Sequence, residues 1–166
     1  MKRADINSFR SLALMLGGDP IQAMESAKNV IGGKVNINPF LLAEIASNKM
    51  YKRWSRIAAI YALGFVNHKP SAQELIRILG SRDEDSQLKD HAAEALGNMN
   101  EPRATAVLGR TLMAEESPNV KRSCIYALSQ IGGSKAHLAL KKFEATKPSG
   151  EMGKALKQAL TRLRSR

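Results

Sequence analysis

An Ala-Leu dipeptide recurs in one frame at Ala62, Ala95, Ala127 and Ala159, at intervals of 33, 32 and 32 residues, and its surroundings recur with it. Three residues before each Ala stand Ala59, Ala92, Cys124 and Leu156. Seven before stand Ser55, Leu88, Val120 and Met152, and four after stand Val66, Met99, Ile131 and Leu163. Small or apolar residues at these separations share one face of an α-helix. A unit of this length cannot bury its apolar face alone, so the neighbouring units must complete its core.

A second helix follows each of the first three copies. Pro70-Ser71, Pro102 and Gly132-Gly133-Ser134 mark its start, as expected where a turn leads into a helix N-terminus. In the second copy Gly97 and Asn98 are expected to allow the bend that Pro102 completes. Leu75, Leu108 and Leu140 lie thirteen residues after the repeat alanines, with Leu79, Leu112 and Phe143 one turn later. The loops closing each pair, GSRDEDSQ, AEESPN and ATKPSG, are polar. The expected fold is all-α, a right-handed α-solenoid of about four to five helix pairs. It forms a single domain over 1–166, regular from 51 to 166 and irregular from 1 to 50. In the irregular part helices are expected near 5–16, 20–31 and 39–48, forming either a degenerate repeat with an insertion or a cap followed by one irregular pair.

Composition narrows the function. Aromatic residues make up 5% of the chain, which favours helices packed on small aliphatic side chains over a sheet sandwich. Twenty-six Lys and Arg against fifteen Asp and Glu leave a net charge of +11. The surplus is shared between the halves, +6 over 1–83 and +5 over 84–166, so it belongs to the array and not to a tail. Such a balance attracts polyanions: nucleic acid, an acidic protein face or an anionic membrane surface. Cys124 is the single cysteine, so no internal disulfide can form. The apolar run 12–16 is too short for a signal-peptide core or a membrane span, and the expected location is cytoplasmic.

His68, His91 and His137 share no ligand spacing with one another or with Cys124. The glycine pairs fit neither phosphate-binding loop pattern, and RDEDS at 82–86 lacks the twelve-residue calcium loop. No enzyme, metal or cofactor is expected. Cys124, in the place of Ala92, reads as a buried inert thiol, and Met99, Met113 and Met152 read as core fillers.

The pattern V-[KR]-x-x-A-x-x-A-L-G is carried by Val120, Lys121, Cys124, Ala127 and Leu128, and by Leu88, Lys89, Ala92, Ala95, Leu96 and Gly97. Arg56, Ala59, Ala62, Leu63 and Gly64 carry it again, with Ser55 in place of the aliphatic residue. Over about 51–166 the chain resembles the HEAT-like repeats of the phycobilisome-lyase type. The resemblance implies that the second helices line a concave face. Arg77, Arg110 and Lys142, each fifteen residues after a repeat alanine, then form a basic column there, joined by Arg103 and Lys135. Basic residues on the first helices, Arg56, Lys89 and Lys121, are read as contacts to neighbouring loops. Trp54, amid Tyr51, Lys52, Arg53 and Arg56, is a candidate partner contact or a seal between the irregular and regular parts. Lys154, Lys157, Arg162, Arg164 and Arg166 make a further basic cluster.

The expected function is a non-enzymatic binding or scaffold protein whose basic concave face takes an acidic macromolecule, foremost a protein, with an inhibitor or immunity-type role as one specific form. Nucleic-acid binding is the alternative. The resemblance also implies a more remote one, a factor related to bilin lyases.

Overall fold

Short polar side chains at the loops mark the starts of the helices Pro20–Ile31, Pro39–Ser47 and Ser86–Asn98. Asp19 caps the second helix by accepting from the Gln22 amide at 2.9 Å, and Pro20 follows it. Asn38 with Pro39, and Asp85, repeat the device at 3.0 and 2.8 Å. These contacts satisfy amide donors that a helix start leaves without partners. In the computed structural model, which describes residues 3–165 with side chains for residue 8 and residues 10–165, the described chain folds into ten α-helices. They are α1 (Arg3–Gly17), α2 (Pro20–Ile31), α3 (Pro39–Ser47), α4 (Arg53–Val66), α5 (Ala72–Gly80), α6 (Ser86–Asn98), α7 (Thr105–Ala114), α8 (Pro118–Ile131), α9 (Gly133–Glu144) and α10 (Gly150–Arg164). Single 3₁₀ turns, Lys69–Ser71 and Pro102–Ala104, lead into α5 and α7.

The helices stack in two layers. First helices α2, α4, α6, α8 and α10 each pack on the next, and second helices α3, α5, α7 and α9 do the same. One continuous apolar core runs between the layers from Met15 to Leu160. In the irregular first third α1 packs on α2 and α4, while α2 and α3, an irregular pair joined by a longer connection, take first- and second-layer places against α4 and α5. Trp54 and its neighbours weld that pair to the array. The Trp54 indole donates to the Gly18 carbonyl at 3.0 Å, and Arg56 Nε donates to the Ala46 carbonyl at 2.8 Å.

Gly97 does something other than bend the chain. It lies inside α6, where an added Cβ would stand 2.8 Å from Ala127 Cα. Gly64 meets Ala95 in the same way, at 2.9 Å. The glycines therefore let adjacent first helices approach backbone to backbone. The turn itself is made by Asn67 and Asn100, held at φ 55° and 48°, a left-handed conformation that asparagine tolerates better than most residues. Gly97→Ala is accordingly expected to destabilise the protein. Overpacking costs about 1–3 kcal/mol and exceeds the roughly 1 kcal/mol that alanine gains by helix propensity. Gly17→Ala, where a Cβ meets nothing within 4 Å, should leave the urea midpoint unchanged or raise it.

Candidate functional site

The cations divide by what they touch. On the first helices, Arg56 holds Glu84 through both terminal nitrogens, at 3.0 and 2.6 Å, and Lys89 holds Glu115 at 3.0 Å. In each case the acid comes from the loop after the second helix of the same pair, so the cation ties both ends of the pair together. Lys121 has the same position, but the loop beyond α9 carries Lys147 and no acid. Arg103 lies on the 3₁₀ turn that joins α6 to α7 within one repeat. It binds the buried Glu101 at 2.8 and 3.0 Å and the Lys69 carbonyl at 2.8 Å. These contacts engage Arg103 within the fold, and they hold the Glu101 carboxyl below the usual range, chiefly through the Arg103 hydrogen bonds.

On the second helices the basic column is uneven. Arg77 on α5 is exposed but bonded to Glu74 one turn earlier, its Nε at 3.0 Å. Thirty-three residues before Arg77, the same register holds exposed Glu44 on α3. Arg110 on α7 and Lys142 on α9 are exposed and have no acid partner among the described residues, and Lys135 at the start of α9 is likewise unpaired. Positive charge without internal compensation on this face is therefore gathered at the α7–α9 end.

Those three cations line one cleft of about 590 Å³ between α7 and α9. Its lining is otherwise mostly apolar. Ala106, Gly109 and Ala139 line it with little side chain, and α7 and α9 approach closely there, since a Cβ on Gly109 would come within 3.2 Å of the Ala139 Cβ. One repeat earlier, Ile76 stands where Gly109 does and packs against the core. Met113 and Leu138 stand beside the cleft with about half of their surfaces exposed, 50% and 56%. The cleft thus combines exposed apolar surface with a basic border, which suits an acidic segment that also has apolar side chains.

Met113, expected to fill the core, is half exposed instead. It follows the buried Leu112 and falls off the stripe made by Leu108 and Leu112. Met99 is buried and Met152 packs half-buried on the core, as expected. Leu138 lies outside the repeat pattern, and its register partners Gln73 and Ala106 carry its signal in the sequence: an apolar side chain at a position that is polar or small elsewhere. Trp54 is half-buried at the α1–α2 turn, with Lys52 Nζ 4.8 Å above its ring, and lines none of this surface. In the C-terminal basic cluster Lys154 pairs with Glu151 at 2.8 Å, Arg162 donates to Gln130, and Arg166 lies outside the described residues.

Cys124 is fully buried on α8. Burial first, then the nearby charges of Glu115 and Asp90, push its thiol up to about 12. A disulfide reagent such as DTNB is expected to leave Cys124 unmodified at pH 8 in the native protein and to titrate one thiol once it is unfolded, because only the thiolate reacts.

A model of HEAT repeats matches residues 40–112 and 81–161. Among solved structures, the complex of CpcE and CpcF of phycocyanin lyase from Nostoc sp. PCC7120 has a similar fold. The TM-score is 0.77 at 17% identity, covering 93% of this chain and 98% of that chain. No curated protein sequence matches. Among the described residues, no helix is long and apolar enough to cross a membrane.

Proposed function

The chain belongs to the HEAT-repeat family, and on that premise we propose that it is a non-enzymatic binding protein whose second-helix layer holds an acidic protein partner at the α7–α9 cleft. The observation that carries this reading is the cleft's composition. Arg110, Lys135 and Lys142 are exposed without acid partners, and they surround apolar surface that includes Met113 and Leu138. Phosphates would engage the cations but leave the apolar surface uncovered, whereas an acidic protein segment satisfies both. A protein partner also agrees with the similarly folded structure, which is a complex of two proteins.

The test is capture from the native host with the wild-type chain and two triple reversals. One carries Arg110→Glu, Lys135→Glu and Lys142→Glu. The other has the same net charge and carries Lys154→Glu, Lys157→Glu and Arg164→Glu. A stoichiometric protein that survives nuclease treatment and is lost only with the first variant supports the reading. Recovery that vanishes with nuclease points to nucleic acid, a coloured covalent bilin adduct points to lyase-related chemistry, and equal loss in both variants points to net charge alone. Each of these three results rejects the cleft.

A further inference from the structure

We infer that the occupant of the α7–α9 cleft is a single amphipathic helix of the partner, with acidic residues along the borders of its apolar stripe; this rests on the reading of the cleft as a protein-binding surface.

The first reason lies in the walls. Both are α-helices whose amides and carbonyls are bonded within the helix, so they offer an extended chain no ladder of donors and acceptors. An extended segment pressed against Ala106, Gly109 and Ala139 would bury its own backbone groups without partners, at a substantial free-energy cost. A helix arrives with those groups already paired and presents only side chains. This is the groove mode of recognition, read by anchors spaced i, i+3 or i+4, and i+7.

The second reason is register. On α9, Lys135, Leu138 and Lys142 are three and four residues apart and share one exposed face. On α7, Ala106, Arg110 and Met113 have the complementary four-then-three spacing. Lys135 and Lys142 stand two turns apart, about 10 Å along the axis. A helix laid along α9 brings carboxylates seven residues apart to both of them, with a large apolar side chain between them. That side chain enters the cleft over the small residues Ala106, Gly109 and Ala139 that line it. Met113, unbranched and polarisable, can adapt to it. The α7 and α9 segments, ten and twelve residues long, give a seam of about 15–18 Å, or three turns of a guest helix.

The experiment selects binders from a displayed library of random peptides about 16 residues long, roughly four and a half turns. The full chain is the bait, and a Met113→Lys/Leu138→Lys variant serves for counter-selection. Enriched peptides are then synthesised with fluorescein and titrated by anisotropy. The expected peptides carry apolar residues at i, i+3 or i+4, and i+7 beside Asp or Glu. Their affinity should fall at least tenfold with Leu138→Ser, and at least tenfold when a central residue of the peptide becomes proline, which breaks a helix. Peptides that need Leu138 yet tolerate the proline overturn the helix and leave the cleft standing as a binding surface. Peptides without acid enrichment, or bound equally by Leu138→Ser, overturn the cleft reading and this inference together. Absence of any enrichment over the counter-selected variant overturns the helix alone, and the host capture then decides the reading beneath it.

Discussion

Replacing Glu84 with leucine is expected to cost the fold about 3–5 kcal/mol, because it leaves a buried guanidinium without its counter-charge. The side chains of Arg56 and Glu84 are only 6% and 7% exposed, and the pair bridges α4 to the loop before α6. Arg56 would keep its bond to the Ala46 carbonyl but lose the carboxylate that neutralises it. Combining Arg56→Met with Glu84→Leu removes both charges and should recover much of the loss, since an apolar pair of similar volume is often neutral. Urea unfolding of the two single variants and the double variant measures the coupling. A cost under about 1 kcal/mol for Glu84→Leu would show that the pair contributes no more than a surface contact.

Acid should weaken the same pairs. Burial by itself raises the Glu84 carboxyl, but the Arg56 hydrogen bonds, the Asp85 amide and the charges of Arg56 and Lys49 outweigh it and hold the group below 4.5. The Glu101 carboxyl is held down by Arg103. A carboxyl whose folded value lies below its unfolded value stabilises fully above the unfolded value, and that contribution disappears as pH falls through the folded one. The midpoint temperature should therefore vary little from these groups above about pH 5 and drop below pH 4.5, with a shallower drop in the double variant.

The second large effect is on binding. Reversing Arg110, Lys135 and Lys142 should weaken partner binding by about a hundredfold or more, since like charges facing an acidic partner cost several kcal/mol. Stability should change little, because all three side chains are exposed and have no acid partner among the described residues. That separation marks the difference between the two sets of cations. Lys89 and Arg56 are buried against acids and belong to the fold, whereas the cleft cations are unpaired until a partner arrives. The wild-type complex should also weaken as ionic strength rises.

The sequence carried most of the architecture because the repeat is written at one spacing. Ala62, Ala95 and Ala127 all lie on the buried face of first helices, as the recurrence implied. Residues 1–50 are irregular, and the placement of α2 among the first helices depended on packing that a single irregular pair does not announce. The same register also explained too much. It placed Arg77, Arg110 and Lys142 in one class, although Glu74 beside Arg77 neutralises it locally. It joined Arg103 to the column although Glu101, two residues away, pairs with it. Gly97 looked like a bend because the turn is close in sequence, while its neighbour in space is Ala127, thirty residues on. The cleft itself escaped notice because it arises from departures from the repeat: glycine where Ile76 stands, leucine where Gln73 stands.

The most direct test of the binding surface is site-specific photo-crosslinking in the captured complex, with benzoylphenylalanine placed singly at 113, 138, 65 and 126. All four native side chains are at least 39% exposed, Met113 and Leu138 on the second helices, Phe65 and Tyr126 on the first. The account predicts adducts to one partner from 113 and 138 and none from 65 and 126. Adducts from 65 or 126, with none from the cleft, would contradict it.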